Sequence, residues 1–221
     1  MTIRSPESLG TKMKTLRIVL VLLALLLLFT GCAPTFVRDA DGYGYTEKKS
    51  GRHYAAMSTA YEAARAGEQV GEYVDKKFDV TRVFLEIPGL DTQRFLTDAT
   101  GLVYCADEQL PSAADWTFAR VRVCEEDAVS VERGSVTDAA EIAAICALWF
   151  EGEEGELPAD RASHSRRLKL QSEEYPNIYY CFRFFLYEDG SAYFYLAETR
   201  RAVAVSADVA DAILRAEGLS A

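Results

Sequence analysis

Two histidines, His53 and His164, are the most versatile chemical groups in this sequence, because imidazole titrates near neutral pH. His164 lies between two serines, Ser163 and Ser165, which raises the question of a serine nucleophile. Such a nucleophile needs a base that a third group orients and donors for an oxyanion, and adjacent residues of a charged loop provide neither. The sequence also lacks the nucleophile-elbow, zinc-protease, phosphate-loop and dinucleotide-binding patterns. We therefore predict that both histidines are exposed to solvent and that no catalytic residue can be assigned.

The cysteines beyond position 100 are the next candidates, since thiols can bind metals, form disulfides or pack as small apolar groups. They are separated by 19, 22 and 35 residues without a C-x-x-C pair, which argues against a metal site. Four cysteines allow three pairings, and sequence does not choose among them. Free buried thiols and a single disulfide are both compatible with the spacing. These residues are Cys105, Cys124, Cys146 and Cys181.

Acidic side chains dominate the charge of the chain, with 34 Asp and Glu against 24 Lys and Arg and a net charge of −10. This balance argues against nucleic acid as a partner, because phosphates require basic surfaces. Paired carboxylates can catalyse hydrolysis, but such pairs converge in space rather than in sequence, so these acids define no site. We predict no metal and no cofactor, and we favour a non-enzymatic role over an enzymatic one.

An uninterrupted apolar run extends from Ile18 to Phe29. A transmembrane helix needs about 20 apolar residues, whereas the apolar region of a signal peptide has this shorter length and follows basic residues. Thr30, Gly31 and Cys32 come next, two small residues and a cysteine. Together these residues resemble the lipobox of bacterial lipoprotein signal peptides. The resemblance implies cleavage between Gly31 and Cys32 and lipid attachment to Cys32; a permanent transmembrane anchor is the alternative.

Cleavage at this position would remove residues 1–31 as a signal peptide and leave a net charge of −13. The lipid on Cys32, rather than surface charge, would then hold the protein to the bilayer. The expected location is the extracytoplasmic face of the cell membrane. Met13 would open a signal peptide of ordinary size and is an alternative start, which the intact mass of the precursor would test.

Residues 32–53 contain glycines and charges without periodicity, and we predict a flexible tether there. Residues 54–221 are predicted to form the extracytoplasmic domain, with an alternative division near residue 116. Within it, strands and single helices alternate, which predicts an α+β fold: an antiparallel sheet with helices packed mainly on one face. The order of elements resembles domains of small uncharacterised lipoproteins of Gram-positive bacteria.

The predicted elements depend on apolar spacing and on turn or capping residues. Helices are predicted from Tyr54 to Ala64, after Asp91, after Asp138 and after Ser206. A surface loop is predicted over residues 151–166, followed later by a hairpin around Asp189-Gly190. The predicted strands cover Phe78–Ile87, Leu102–Cys105, Thr117–Val123, Ala128–Glu132, Ile178–Tyr187, Ala192–Ala197 and Ala202–Val205.

Aromatic residues on the hairpin form the one candidate binding face. Tyrosine offers a large amphipathic contact area at low entropic cost, and exposed apolar patches tend to be interaction sites. The expected role is a binding module for an unknown protein or envelope partner. The alternative functions are an envelope-acting enzyme with dispersed carboxylates and a small solute-binding lipoprotein. For the aromatic face itself, a sheet covered on both sides by the N-terminal half is favoured over an exposed binding surface. The candidate residues are Tyr179, Phe185, Tyr187, Tyr193 and Tyr195.

Overall fold

Antiparallel strands make up most of the regular structure in the computed structural model, which describes residues 35–106, 112–126 and 130–219. Strands account for 46% of the described residues and helices for 15%. The predicted α+β class is therefore wrong, and the protein has a β-sandwich or barrel-like fold. The error arises because several segments with helix-like spacing pair with strands from distant parts of the chain.

The first sheet has seven strands in the order β1-β2-β3-β8-β7-β6-β5. A parallel bridge between Thr35 and Glu72 joins the two ends of this order, so the sheet curls into a closed, barrel-like form. Its strands are β1 Phe36–Arg38, β2 Gly44–Glu47, β3 His53–Ala56, β5 Gln69–Asp75, β6 Val80–Leu85, β7 Phe95–Asp98 and β8 Val103–Cys105.

Aromatic rings fill the interior of the first sheet. Phe84 is fully buried and packs against Phe36, Tyr45 and Tyr104 with ring centroids 4.5 to 5.3 Å apart. Edge-to-face contacts of this kind add to the free energy that burial alone provides. No helix of the described chain belongs to this core, so the sheet buries its apolar surface by curling on itself.

The predicted tether over residues 32–53 is not flexible across its described part. Phe36 and Tyr45 are buried in the aromatic core, and β1, β2 and the start of β3 pair in register. Ordering these residues costs conformational entropy, which the burial of two large rings offsets. Gly31 and Cys32 lie outside the described residues, as does Met13.

The second sheet has eight strands, with seven in the order β10-β9-β12-β13-β14-β15-β11 and β4 paired to β13. Along the chain, the strands up to β8 belong to the first sheet and those from β9 onward belong to the second, so the division lies near residue 116. β4 is the exception, because it pairs in the second sheet. Its strands are β4 Tyr61–Ala63, β9 Phe118–Glu126, β10 Ser130–Val136, β11 Glu154–Gly155, β12 His164–Ser172, β13 Ile178–Leu186, β14 Ala192–Leu196 and β15 Arg201–Val205.

Two helices, α1 Ala139–Glu151 and α2 Ala207–Ala216, cover one face of the second sheet. The Asp138 side chain accepts hydrogen bonds from two backbone N–H groups of the first turn of α1, so it caps this helix as predicted. Trp149 of α1 stacks on Phe182 of β13 with ring centroids 4.4 Å apart. A single-turn 3-10 helix also spans Ala113–Asp115. No helix in the described chain is long and apolar enough to cross a bilayer.

The helix predicted from Tyr54 to Ala64 is replaced by β3, a turn and β4. The Glu198 carboxylate fixes that turn by accepting from the Ser58 and Thr59 hydroxyls at 2.8 and 2.6 Å. β4 then pairs with β13 while an isolated bridge joins Glu62 to Leu102, so this strand connects both sheets. The helix prediction rests on the spacing within residues 54–64 alone. The partners that determine the structure, Glu198, β13 and Leu102, all lie outside that segment, which explains the wrong prediction.

Other predicted elements differ in smaller ways. The segment after Asp91 is a turn leading into β7, not a helix. The predicted loop over residues 151–166 contains β11 and the first residues of β12. The strand predicted over Ala128–Glu132 becomes β10, and residues 127–129 lie outside the described ranges. The predicted hairpin is present as β13 and β14, with Gly190 in the left-handed region at φ 83°.

Candidate functional site

The face of the second sheet turned away from α1 and α2 carries most of the charged groups of its central strands. Side chains alternate along a strand, so Leu168 and Leu170 point to the helices while Arg167 and Lys169 point to the opposite side. We call this opposite side the helix-free face. Its charged residues are Arg120, Arg122, Arg167, Lys169 and Arg183 from the sheet strands, with Glu62, Glu126 and Glu132 as acidic partners.

Glu62 on β4 is the centre of this network. Its carboxylate accepts from Lys169 Nζ at 2.6 Å and lies 2.9 Å from Arg167 Nη2. Lys169 is only 6% exposed and also lies near the Tyr179 ring, 6.0 Å from its centroid. Because an ammonium group buried without a counter-ion is costly, the Glu62 carboxylate stabilises Lys169 at its buried position in the sheet.

Glu126 at the end of β9 forms ion pairs with both Arg167 and Arg183. Its two oxygens accept from Arg167 Nη1 at 2.6 Å and from Arg183 Nη2 at 2.9 Å. Arg167 and Arg183 are register partners on β12 and β13, so their guanidinium groups are held side by side by the strand pairing. The Arg183 side chain is 44% exposed, which leaves much of its fork of donors open to solvent.

Glu132 lies on β10, an edge strand of the second sheet, and is likewise shared by two cations. Arg120 and Arg122 both pair with its carboxylate, and Arg122 also donates to the Tyr179 hydroxyl. The Arg122 guanidinium lies 5.3 Å from the centroid of the Tyr179 ring, a cation–π contact. Each of the three carboxylates on this face is therefore shared by two cations.

A cleft of about 400 Å³ opens beside Glu62, Arg167 and Arg183. It lies between the helix-free face and the turn that joins β7 to β8 in the first sheet. The opposite wall includes Thr100 and Gly101 of that turn, and Tyr195 borders the cleft on β14. The cleft thus combines two guanidinium groups, one carboxylate, hydroxyl groups and an aromatic ring.

The five residues of the predicted aromatic face differ in how deeply they are buried. Tyr179 and Tyr187 are buried, whereas Phe185, Tyr193 and Tyr195 are half-buried. Phe185 contacts Tyr195 across β13 and β14, with ring centroids 5.9 Å apart. All five residues lie on the helix-free side of the hairpin, so the sequence prediction identified this face but not its charges.

The cysteines and histidines occupy structural positions. Cys124, Cys146 and Cys181 are free thiols, and Cys105 is buried. Burial raises the pKa of Cys181 to about 12, so this thiol stays protonated at neutral pH although it lies 3.8 Å from Glu62 Oε2. A protonated thiol is a poor nucleophile, and Cys181 is better described as a small apolar side chain of the sheet.

Of the two histidines predicted to be exposed, only His164 is not, since its side chain is 18% exposed. His53 Nε2 lies 2.6 Å from Asp39 Oδ2, although its side chain is partly exposed as expected. His164 is the first residue of β12 and lies 3.2 Å from a carboxylate oxygen of Glu217, which also pairs with Arg166. The Ser163 hydroxyl donates to the Leu186 carbonyl, so it is not oriented toward His164 as a nucleophile would be.

The charge network could not be found by a local pattern, because Glu62 lies more than 100 residues before Lys169. One signal was present in the sequence: Arg167, Leu168, Lys169, Leu170 and Gln171 alternate polar and apolar, which is typical of a half-buried strand. Among the described residues, no group of His, Cys, Asp or Glu is arranged to hold a metal ion. Comparisons with known proteins found no matching family model, no matching curated protein and no matching solved structure.

Proposed function

We propose that this protein is a lipid-anchored extracytoplasmic binding module whose helix-free face binds an acidic group of an envelope partner. The observation that carries the binding proposal is the sharing of three carboxylates among five cations on that face. The lipobox-like Thr30-Gly31-Cys32 segment supports the anchor. The cleft beside Arg183 is the expected position of the bound acidic group.

The charge of the face contrasts with the charge of the whole chain. Five cations against three acids leave an excess of two positive charges in a protein of net charge −10. Guanidinium groups present planar donors that match a carboxylate or a phosphate. Arg183 has the most exposed of these side chains, and among the described residues its one acidic partner, Glu126, is shared with Arg167. An incoming anion can therefore bind Arg183 without displacing an exclusive partner.

Binding is favoured over catalysis by the state of the acidic groups in the cleft. A general acid or base needs a proton-exchanging group that is free to meet the substrate. Glu62 is held by Arg167 and Lys169, and Glu126 is held by two arginines. Glu62, which lines the cleft, and Glu126 therefore both serve to position the cations.

The binding proposal is tested by thermal unfolding of the full-length lipidated protein in citrate and in tripolyphosphate at constant ionic strength. A ligand that binds only the native state raises the unfolding temperature by mass action. Arg183→Gln should abolish the rise. Arg133→Gln is the matched control: Arg133 is 52% exposed and pairs with one acid, Glu125.

The outcomes separate specific binding from general salt effects. An equal rise in wild type, Arg183→Gln and Arg133→Gln, or no rise in wild type, would contradict binding at this face. The anchor is tested separately by Cys32→Ser, which should block both cleavage of the precursor and incorporation of labelled fatty acid. If Cys32→Ser changes neither the mass of the protein nor the fatty-acid labelling, the result would support the transmembrane alternative.

A further inference from the structure

Exposed large apolar side chains are concentrated at one corner of the first sheet. Among the described residues, seven such side chains are exposed, and five of them lie on β1, on the turn after it, or on the β5–β6 hairpin. Tyr43 is 75% exposed and Phe78 is 67% exposed, the two highest values. The five are Val37, Tyr43, Val74, Phe78 and Val80, which we call the apolar corner.

Strand pairing brings the apolar corner together. The parallel bridge from Thr35 to Glu72 places Val37 level with Val74, two residues further along each strand. The Arg38 guanidinium donates to the Gly42 carbonyl at 3.1 Å and thereby holds the turn that carries Tyr43. The five side chains thus belong to one continuous end of the sheet rather than to scattered positions.

The tip of the β5–β6 hairpin is ordered in a way that presents Phe78 outward. Asp75 Oδ1 accepts from the backbone N–H groups of Lys77 at 2.9 Å and Phe78 at 3.3 Å. Asp79 adopts a left-handed conformation with φ 51°, which reverses the chain. Lys77 Nζ lies 5.0 Å from the centroid of the Phe78 ring. An aromatic ring beside lysine is a combination suited to a membrane interface.

The chain length between the anchor and this sheet is short. Thr35 already pairs with Glu72, and only two residues, Ala33 and Pro34, lie between it and Cys32, which makes three steps along the chain. A fully extended chain spans at most about 3.5 Å per residue, so Thr35 can lie no more than about 10 Å from the lipid-bearing residue. A domain joined this closely cannot stand far from the bilayer. β1 begins directly after Thr35 and is therefore the strand closest to Cys32 along the chain.

We propose that the apolar corner lies against the bilayer, with Phe78 and Tyr43 inserted at the level of the lipid head groups. This inference rests on the lipid anchor of the proposed function and names the surface that meets the membrane. The individual contacts are weak, but an anchor that holds the domain in place gives them a high effective concentration. Lys76 and Lys77 extend from the same hairpin tip and reach lipid phosphates by their flexible stems.

The experiment uses the full-length lipidated protein in vesicles of phosphatidylcholine and phosphatidylglycerol with brominated acyl chains. Phe78→Trp and Tyr43→Trp each add one fluorophore at the corner, and Val131→Trp is the control at an exposed valine outside it. The emission added by each substitution is obtained by subtracting the wild-type spectrum, because Trp116 and Trp149 are present in all proteins. Bromine should quench the added emission of the first two variants strongly and that of the control weakly.

Mass spectrometry of the N-terminal peptide separates the two possible failures. If Cys32 carries no lipid, the proposed anchor is wrong and this inference fails with it. If Cys32 is lipidated and the emission added at positions 43 and 78 is no more quenched than that at position 131, the anchor stands and the apolar corner does not face the bilayer. Unchanged unfolding temperatures would show that the substitutions leave the fold intact.

Discussion

The two sheets solve the problem of burying an apolar surface differently. The first sheet curls until β1 meets β5 and fills its interior with aromatic rings. The second remains open and buries one face under α1 and α2. Its other face holds a chain of shared charges, to which β4 contributes Glu62. An open sheet with one covered face leaves a second face that can serve as a binding surface.

The polar groups of the two sheets differ in the same way. In the first sheet, the buried Asp98 accepts from Tyr104 at 2.9 Å and lies 3.4 Å from Arg82. One acid, one cation and two hydroxyl groups, those of Tyr104 and Thr100, satisfy each other there, and the acid is 4% exposed. On the helix-free face the cations exceed the acids and adjoin a cleft. A closed arrangement stabilises the fold, whereas an arrangement with excess charge is available to a ligand.

The largest loss of stability is expected from truncating a buried aromatic side chain in either core. Phe84→Ala in the first sheet and Trp149→Ala in the second should each reduce the free energy of unfolding by about 3–5 kcal/mol, because each leaves a cavity among buried rings. Residues 34–221 form one compact unit, so we expect a single unfolding transition in both variants. Urea unfolding followed by fluorescence and circular dichroism checks this. Two separated transitions in Phe84→Ala would show that the sheets fold independently.

Removing the central acid of the network should have the next largest effect. Glu62→Gln leaves Lys169 buried without its carboxylate, and we expect a loss of about 3 kcal/mol, near the lower end for a broken buried pair because Glu62 is partly exposed. Adding Lys169→Met removes the stranded charge and should recover much of the loss. A double-mutant cycle in urea measures the coupling. Additive losses in the double variant would mean that Glu62 does not neutralise Lys169.

A smaller effect should depend on pH. The Ser172 hydroxyl and the backbone around Glu174 and Thr117 donate to the Glu174 carboxylate and lower its pKa to about 2. Because the folded pKa lies below the ordinary value of 4.5, this group stabilises the fold above pH 4.5 and loses that contribution as the pH falls toward 2. Glu174→Gln should therefore be less stable than wild type at pH 6, with the difference disappearing near pH 2. A difference that is the same at both pH values would contradict this assignment.

The smallest effect on stability is expected from Arg183 on the helix-free face. Arg183 is largely exposed and forms a surface ion pair, so Arg183→Gln should change the free energy of unfolding by no more than about 0.5 kcal/mol. Arg133→Gln on the opposite side should behave alike. Chemical denaturation of the two variants measures this. A loss comparable to that of Glu62→Gln would show that Arg183 supports the fold and would weaken its assignment to binding.

Local signals predicted some elements correctly and failed where partners are distant in sequence. Asp138 caps α1, and Asp189-Gly190 turns the hairpin, because a cap and a tight turn depend on neighbouring residues. Tyr54 and Tyr61 follow helical spacing but lie on strands. Their pairing partners include Tyr45 on one side and Tyr180 on the other, and tertiary pairing overrides a short periodicity.

The candidate site shows the same limit. The aromatic residues of β13 and β14 predicted a hairpin with aromatic side chains on both faces. Of these, Phe185, Tyr193 and Tyr195 are half-buried and lie on the helix-free side. The acids that organise the cations could not be selected from 34 acidic residues by spacing, because Glu62 reaches Lys169 only after β4 pairs with β13. Charge complementarity between distant strands is a property of the fold rather than of a segment.

The most direct test of anion binding at the helix-free face is a calorimetric titration of the full-length lipidated protein with tripolyphosphate at two salt concentrations. The structure predicts one saturable site whose affinity falls as salt rises, because charge attraction is screened. Arg183→Gln should lose this site and Arg133→Gln should keep it. The absence of saturable binding to wild type, or equal affinity in wild type and Arg183→Gln, would contradict the account.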